Sequence, residues 1–307
     1  MIKIGINGFG RIGRLVLRAA LERENKSFEV VSINDLGSLE QNYHLLKYDS
    51  VHGKPKFNAS IENNGLLVNE SKIKFYNHRD PENIPWDENH VDIVLECTGL
   101  FTDAGLAKKH LSRGVKKVLI SAPSNNSDIT IVFGVNSDLI SAKHQIVSNA
   151  SCTTNCLAPI AKIINDNFGI EAGFMTTVHS FTSDQKIIDG LHKDFRRGRT
   201  ASMSMIPTST GAAKAVGLVL PELDGKLDGT AIRIPTPNVS MIDFTFQSKK
   251  FIDKNRINEA IRREVQGRFK NIVEYNELPL VSIDYNHNPA SSIFDATQTQ
   301  TVGNSFG

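Results

Sequence analysis

The sequence opens with Ile2-Lys-Ile-Gly-Ile-Asn-Gly-Phe-Gly-Arg-Ile-Gly13, and this stretch decides the class of fold. Apolar residues alternate with polar or small ones as far as Ile6, and beyond the glycines they recur every three or four residues, from Ile12 to Ala20. The change of period from two to about 3.6 predicts a strand, a tight turn and a helix. Glycines spaced as G-x-G-x-x-G in that context favour a turn that binds the pyrophosphate of a dinucleotide, with an incidental glycine-rich turn as the alternative.

The acidic residue that accompanies such a turn is Asp35, which follows the next predicted strand, at residues 28–33. A carboxylate at this position accepts hydrogen bonds from the adenosine ribose and repels a 2'-phosphate. Asp35 therefore favours NAD over NADP as the cofactor. The other interpretation is a solvated acid at the end of a strand.

Further apolar runs predict strands at residues 91–95, 118–120 and 129–135, with a helical segment at 104–111. Strands that alternate with helices predict an α/β fold built on a doubly wound parallel sheet. We place the end of this first domain at residue 150.

The second half of the chain, residues 151–307, has a different pattern. Apolar and polar residues alternate at 231–234, 239–246 and 281–285, which is typical of strands with one solvated face. An amphipathic helix is predicted at 253–269, behind an aspartate cap. These patterns predict a second, α+β domain on a mixed or antiparallel sheet.

The composition limits the classes of partner. The chain has 307 residues, enough for about two domains, and 35 Lys and Arg against 33 Asp and Glu give a net charge of +2. That charge is too small for the basic surface of a nucleic-acid binder. Polar residues interrupt every apolar stretch before it could span a bilayer, and the first residues do not resemble a signal peptide. We expect a cytoplasmic protein with a small-molecule partner, and no nucleic-acid or membrane partner.

The chain has three cysteines, an odd number and too few for a disulfide framework in a chain of this length, so reduced thiols are expected. Cys152 lies in a cluster of Ser, Thr and Asn just before a predicted helix at residues 157–167. A helix N-terminus lowers the pKa of a thiol, so Cys152 is a candidate nucleophile. Cys97 and Cys156 lie among apolar residues and are expected in the core. Pro159 should kink this helix or delay its start.

A nucleophilic thiol needs a base, and His179 follows a predicted strand at residues 173–178. The chain has nine histidines, so local pattern alone leaves this role open. The cationic segment 193–199 is either a solvated loop or an anion site. Thr208-Ser-Thr-Gly211 offers hydroxyls and amides for a phosphate at a predicted helix start, and Arg233 could add charge to the same anion.

With these motifs together, the chain resembles the phosphorylating glyceraldehyde-3-phosphate dehydrogenases. The resemblance rests on the N-terminal glycine motif and on Ser151-Cys-Thr-Thr-Asn155 and His179-Ser-Phe-Thr182. It extends over nearly the whole chain, through Lys47-Tyr-Asp-Ser-Val-His-Gly53, Arg79-Asp-Pro81, Pro207-Thr-Ser-Thr-Gly-Ala-Ala-Lys-Ala215, Pro235-Thr-Pro-Asn-Val-Ser240 and Ser291-Ser-Ile-Phe-Asp295.

The resemblance implies a Rossmann domain followed by a catalytic domain, NAD as the cofactor, no metal, and a homotetramer in which the loop around Arg197 packs at the centre. It implies that Cys152 attacks the aldehyde, that His179 takes the hydroxyl proton as hydride leaves, and that phosphate cleaves the resulting thioester to an acyl phosphate. The implied cofactor contacts are Gly8, Gly10, Arg11, Ile12, Gly13, Asp35, Arg79, Thr98 and Ser121. The implied contacts of the substrate phosphate are Thr182, Arg197 and Arg233, and those of inorganic phosphate are Ser151, Thr153, Thr210 and Gly211.

The sequence departs from the family pattern in two places. Gly190-Leu191 stands where many NAD-using relatives have Leu-Pro, and the sequence ends at Gly307, where the family continues into a tail with an asparagine and a helix. Without that tail we expect a lower melting temperature, weaker NAD binding and slower turnover.

Two alternatives to the leading function remain open at this point. Erythrose-4-phosphate dehydrogenase keeps the same Cys and His pair, but Thr210, Gly211 and Arg233, together with Asp35, favour glyceraldehyde 3-phosphate. The other alternative is a truncated, weakly active chain that only binds a dinucleotide or a partner.

Overall fold

The computed structural model describes residues 1–23 and 27–307. The described residues divide into two compact units. The first consists of Met1–Ile131 and Ile140–Ala150, and the second of Val132–Leu139 and Ser151–Gly307.

The first unit is built on a largely parallel sheet. Its elements are β1 (Ile2–Asn7), α1 (Arg11–Glu22), β2 (Phe28–Asn34), α2 (Leu39–Lys47), β3 (Ala59–Glu62), β4 (Gly65–Val68), β5 (Ser71–Tyr76), β6 (Ile93–Glu96), α3 (Ala104–Ala107), β7 (Lys117–Ile120), β8 (Ile129–Thr130) and β9 (Ile146–Ser148).

Within the described part of the chain, nine strands form this sheet, in the order β3-β4-β5-β2-β1-β6-β7-β9-β8. The pairs from β5 to β8 are parallel, and β3 and β4 extend the edge as antiparallel strands. The chain order reverses between β1 and β6, and parallel α/β sheets bind ligands beyond the carboxyl ends of strands at such a reversal. The predicted α/β, doubly wound fold is confirmed for this unit.

Burial explains why β1 and α1 form as they do. Ile4, Ile6 and Leu17 are almost completely buried, so the alternating strand and the first helix both contribute to one core. On the other face of β1, Gly5 lies against the buried side chains of Trp86 and Val91, so both faces of this central strand are covered.

The second unit contains α4 (Cys152–Phe168), β10 (Ile170–Ser180), β11 (Ile206–Ser209), α5 (Val216–Val219), β12 (Leu227–Ile234), β13 (Met241–Ser248), α6 (Lys254–Gln266), β14 (Val273–Asn276) and β15 (Ser292–Asp295). Among its described residues, four strands form a mixed sheet in the order β11-β12-β10-β13. In this sheet β10 and β12 pair in parallel, whereas β10 with β13 and β11 with β12 pair antiparallel, so the predicted mixed sheet is confirmed. α4 packs against α6 and β15.

The predicted strand at residues 281–285 is wrong, because this segment forms a 3-10 helix, Ser282–Tyr285. The carboxylate of Asp284 accepts a hydrogen bond from the amide of Val281 at 2.8 Å, which closes a turn. Val281 and Ile283 are both exposed, so the alternation does not reflect a buried face.

Two predictions in the first half were too long. The apolar run at 129–135 contains only the short strand β8, because the side chain of Asn136 accepts a hydrogen bond from the amide of Val132 at 2.9 Å and turns the chain. The helix predicted at 104–111 is α-helical only in α3, and it continues as a 3-10 helix over Lys108–Arg113.

The helix after the cysteine cluster begins earlier than predicted. It starts at Cys152 rather than near residue 157, and Pro159 lies inside it. The early start follows from Ser151, whose hydroxyl caps the first turn. Across the described residues, no helix combines the length and the apolar composition that crossing a membrane requires.

Candidate active site

The N-terminus of α4 presents a cysteine thiol. Ser151 is the N-cap, and its hydroxyl accepts a hydrogen bond from the amide of Thr154 at 3.0 Å. Cys152 is therefore the first residue of the helix, where unpaired amides and the helix dipole favour negative charge. Its Sγ lies 3.3 Å from Nε2 of His179, a buried residue near the end of β10.

This environment favours the thiolate form of Cys152. The protein atoms packed around the sulfur desolvate it, which by itself would raise the pKa of the thiol. The hydrogen bond to His179 and the charge that His179 carries when protonated outweigh this effect, with help from Thr153 in the first helical turn. The net result is a pKa below the ordinary value for cysteine.

The other two cysteines lie in environments that favour the neutral thiol. Cys97 follows the end of β6, and burial raises the pKa of its thiol to about 11. Cys156 is one helical turn after Cys152, with its Sγ 3.4 Å from the hydroxyl of Ser292, and burial raises its pKa as well. All three cysteines are free, and only Cys152 is exposed.

Cationic side chains stand close to the Cys152 and His179 pair. Arg233 on β12 is the direct neighbour of His179 across the parallel strands, and its Nη1 lies 2.8 Å from Nδ1 of His179. Arg197 is held by the carboxylate of Asp184 at 2.9 Å and by the hydroxyl of Thr208 at 3.0 Å. Burial and the charge of Arg197 lower the pKa of Arg233.

Three further candidate phosphate contacts lie just after strands of the mixed sheet in the second unit. Thr182 follows β10, and Thr210 and Gly211 follow β11. The prediction that the Thr208–Gly211 segment opens a helix is wrong, because α5 begins only at Val216. Instead, the hydroxyl of Thr210 accepts a hydrogen bond from the amide of Ala212 at 3.2 Å and shapes a turn with an open face at Gly211.

In the first unit, the glycine motif forms a cradle that larger residues would fill. Gly8 has φ of +88°, and a Cβ there would lie 2.7 Å from the backbone of Thr98. A Cβ on Gly13 would lie 2.2 Å from the carbonyl oxygen of Gly8, whereas a Cβ on Gly10 would meet no atom within 4 Å. This combination of a tight turn and an open central glycine, placed before the N-terminus of α1, fits the pyrophosphate of a dinucleotide.

Asp35 lies directly beyond β2, beside this cradle. Its carboxylate accepts hydrogen bonds from the amide of Phe9 at 2.7 Å and from the amide of Gly37 at 2.8 Å. It lines a cavity of about 640 Å³ together with Phe9, Gly10, Arg14 and residues of α2. Two backbone amides therefore fix the carboxylate of Asp35 at the edge of this cavity.

The other candidate cofactor contacts are dispersed over the first unit. Ile12 is exposed in the first turn of α1, and Arg11 beside it pairs with Asp49 at 2.9 Å. Arg79 lines a separate cavity of about 460 Å³ that also includes Phe101 and Lys109. Ser121 donates to the carbonyl oxygen of Glu96 at 3.0 Å.

A buried polar cluster that the sequence did not reveal supports Thr98. The carboxylate of Glu96 accepts hydrogen bonds from the amide and hydroxyl of Thr98, from the side chain of Asn7 at 2.6 Å, and from Nε2 of His110 at 3.0 Å. Nδ1 of His110 accepts from the indole of Trp86 at 3.1 Å, which fixes the proton of His110 on Nε2. A glutamate at the end of an apolar strand is the only sequence signal for this cluster.

We expect Glu96→Gln to lower the free energy of unfolding by about 3 kcal/mol, because the new amide group would face buried donors without an acceptor. Asp92→Asn is the matched control, since Asp92 is a more accessible carboxylate that accepts hydrogen bonds from the backbone amide of Lys3 and the ammonium group of Lys116, and its loss should change the free energy of unfolding much less. Urea unfolding curves of the two variants and the parent measure the difference. Equal midpoints for the two variants would show that the Glu96 cluster is not a stabilising centre.

Comparison with known proteins assigns the family. Residues 2–104 match the family model "Glyceraldehyde 3-phosphate dehydrogenase, NAD binding domain", and residues 151–307 match "Glyceraldehyde 3-phosphate dehydrogenase, C-terminal domain". The glyceraldehyde-3-phosphate dehydrogenase of Geobacillus stearothermophilus is 55% identical, and that of Xanthobacter flavus is 54% identical; each alignment covers 98% of this chain and 90% of the relative. Glyceraldehyde-3-phosphate dehydrogenase 1 of Bacillus subtilis is 54% identical over 99% of this chain and 91% of its own length. This chain therefore belongs to the glyceraldehyde 3-phosphate dehydrogenase family.

Proposed function

We propose that this protein oxidises glyceraldehyde 3-phosphate with NAD and inorganic phosphate to 1,3-bisphosphoglycerate. The observation that carries the proposal is the contact of 3.3 Å between Sγ of Cys152, at the N-terminus of α4, and Nε2 of His179. The pair stands beside Arg233, which suits a phosphorylated aldehyde. We assign residues 1–150 to NAD binding and residues 151–307 to catalysis.

In the first step, the thiolate of Cys152 attacks the carbonyl carbon of the aldehyde, and the resulting oxyanion takes the proton that His179 carries on Nε2. This gives a hemithioacetal and leaves Nε2 free to accept a proton. The lowered pKa of Cys152 supplies the thiolate near neutral pH. The amides at the N-terminus of α4 and the imidazole of His179 are the donors available to the developing oxyanion. The substrate's phosphate is held by Arg233, Arg197 and Thr182.

In the second step, His179 accepts the hydroxyl proton of the hemithioacetal at Nε2 while the carbon loses a hydride and becomes a thioester carbonyl. NAD, when bound, supplies the hydride acceptor. The side chains of Ser151, Thr153 and Thr210, with the amide of Gly211, then position inorganic phosphate. A phosphate oxygen attacks the thioester carbon, the carbon–sulfur bond breaks, and the thiolate of Cys152 is restored.

Asp35→Gly should reduce the preference for NAD over NADP by about tenfold or more, because it removes the carboxylate that would repel a 2'-phosphate. Asp35→Asn is the matched variant, since it keeps an acceptor for the amide of Phe9 but removes the charge. The ratio of kcat/KM values for the two cofactors is the measurement, and it cancels any general loss of activity. A ratio unchanged in both variants would place Asp35 away from the ribose.

The proposed assembly is a homotetramer that works in the cytoplasm. The loop around Arg197 exposes large apolar side chains that a second subunit would cover: Ile187, Ile188, Leu191, Phe195, Met203 and Met205. Free cysteines support a reducing compartment, since the proposed chemistry needs the thiol of Cys152. Sedimentation velocity at the protein concentration of the activity assay tests the homotetramer, and a monomeric protein would contradict it.

A steady-state assay with two sugar phosphates tests the proposed reaction. We expect NADH to form from glyceraldehyde 3-phosphate. Repeated turnover should require inorganic phosphate. Faster phosphate-independent oxidation of erythrose 4-phosphate would favour that substrate instead. NAD binding without NADH formation from either substrate would mean a chain that binds the dinucleotide but does not catalyse.

A further inference from the structure

Three buried polar side chains stand side by side at the carboxyl ends of neighbouring strands in the first unit. Asn34, Asn7 and Glu96 are the last residues of β2, β1 and β6, and Asn7 is the register partner of both others. Each is between 1% and 3% exposed. Nδ2 of Asn34 donates to Oδ1 of Asn7 at 2.8 Å, and Nδ2 of Asn7 donates to the carboxylate of Glu96 at 2.6 Å. We call these three side chains the polar row.

The backbone at one end of the polar row fixes the orientation of both asparagine amides. Oδ1 of Asn34 accepts from the amide of His78 at 2.8 Å, and Nδ2 donates to the carbonyl oxygen of His78 at 2.9 Å. A backbone amide only donates and a carbonyl only accepts, so the carboxamide of Asn34 has one possible orientation. Oδ1 of Asn7 must then face Asn34, and its Nδ2 must face Glu96. Asn7 and His110 both donate to Oε2 of Glu96, which brings their nitrogens within 3.4 Å of each other.

The Asn34 end of the polar row holds one wall of the cavity of about 460 Å³. This wall is the segment 78–83, which contributes Arg79 to the lining. The two hydrogen bonds between Asn34 and His78 fix the backbone at the start of the segment. The carbonyl oxygen of Asn34 also accepts from the amide of Gly8 at 2.8 Å, so the same residue ties this wall to the glycine cradle.

The Glu96 end of the polar row holds a second wall of this cavity, which contains Phe101. The carboxylate of Glu96 accepts from the amide and the hydroxyl of Thr98, and the hydroxyl oxygen of Thr98 accepts from the amide of Leu100 at 3.0 Å. The ring of Phe101 meets the ring of His110 edge-on, with the centroids 6.4 Å apart. His110 is itself bonded to Glu96 at 3.0 Å. The spacing of the two walls therefore depends on the polar row.

We propose that Asn34 and Asn7 are positioning residues for NAD, which hold the two walls at the separation that the adenine ring requires. This inference rests on the proposed function, in which the adenosine ribose lies at Asp35, the residue directly after Asn34. A planar ring can stack on the guanidinium of Arg79 and on the ring of Phe101. Walls that are already held at this width lose less conformational entropy when the base enters, so the polar row contributes to cofactor affinity rather than to the chemical step.

The test measures the binding of the two halves of the cofactor by titration calorimetry, with AMP and with nicotinamide mononucleotide. Asn34→Ala should raise the Kd of AMP and of NAD by about tenfold and leave that of nicotinamide mononucleotide within about twofold. The KM for NAD should rise likewise, while kcat at saturating NAD stays within about twofold of the parent. Ile146→Ala is the matched control, because it removes buried atoms from β9, two strands away from β6, and it should bind AMP as the parent does.

Three results would overturn the inference. The first is equal affinity of Asn34→Ala and the parent for AMP. The second is an equal loss of affinity for nicotinamide mononucleotide, or an equal loss of AMP affinity in Ile146→Ala at a similar free energy of unfolding, because either would show a general effect of stability. The third is a parent that binds NAD but not AMP. Failure of the proposed function is distinguishable, because the parent would then not oxidise glyceraldehyde 3-phosphate, whereas the AMP titrations do not depend on turnover.

Amide hydrogen exchange of the parent decides the matter if Asn34→Ala does not fold by circular dichroism. AMP should slow exchange in the segments 78–83 and 98–101 together, since the polar row joins them. Protection of only one segment, or of neither, overturns the inference.

Discussion

Cys152→Ser will lower turnover by at least about 10⁴-fold while NAD binding stays intact. Serine has no usable anion near neutral pH, whereas the pKa of the Cys152 thiol is held below its ordinary value by His179 against the effect of burial. NAD binding is expected to survive because the proposed cofactor contacts lie in the first unit. Stopped-flow NADH formation and an NAD titration of the same preparation measure the two effects.

Alkylation supplies the control for this variant. Iodoacetamide should label Cys152 first, because this residue is the exposed one of the three cysteines and its thiol has a lowered pKa, whereas burial raises the pKa of Cys97 to about 11 and raises that of Cys156. Peptide mapping after brief exposure identifies the labelled residue. Earlier labelling of Cys97 or Cys156 would contradict the assignment of the nucleophile.

His179→Asn will lower turnover by roughly 10²- to 10⁴-fold and shift the alkylation of Cys152 to higher pH. His179 lowers the pKa of the thiol through its hydrogen bond and charge, so its removal raises that pKa and the thiolate forms only at higher pH. The pH dependence of the iodoacetamide rate is the measurement.

His144→Asn is the matched control, since His144 lies in the first unit and contacts Ser141 rather than a thiol. Its alkylation profile should overlie that of the parent. If the His179→Asn profile did so as well, His179 would not be the partner of Cys152.

The strongest local patterns in the sequence predicted the parts of the fold that local forces determine. The strand, glycine turn and helix at the start of the chain are encoded within about 20 residues, because the periodicity and the glycines act on the same short segment. The helix at Lys254–Gln266 was equally predictable, since Asp253 caps it and Ile257 and Ile261 form its buried face.

Predictions failed where a nearby polar side chain overrides the apolar pattern by bonding to the backbone. Alternation at residues 281–285 resembled a strand, but Asp284 closes a turn there. The chain stops being a strand after Thr130 because Asn136 bonds to the amide of Val132. Pro159 suggested a late helix start, although the serine cap at residue 151 begins the helix before the proline.

The candidate site was predictable in its residue types but not in its contacts. The polar neighbours of Cys152 made it a candidate nucleophile. The local sequence around His179 did not distinguish it from the other eight histidines, whereas the structure shows its Nε2 3.3 Å from the sulfur of Cys152. The contact of Arg233 with the far side of His179 depends on the register of β10 and β12, which no local pattern encodes. The same holds for Glu96, whose partner His110 comes from another part of the first unit.

The central claim is that Cys152 carries the substrate as a thioester, and intact-protein and peptide mass spectrometry tests it most directly. The protein is mixed with NAD and glyceraldehyde 3-phosphate without inorganic phosphate, quenched in acid and digested. We expect a phosphoglyceryl group on the peptide that contains Cys152, and its loss within one turnover when phosphate is added before the quench. An adduct on the peptide of Cys97, an unmodified Cys152, or an adduct that persists in the presence of phosphate would contradict the account.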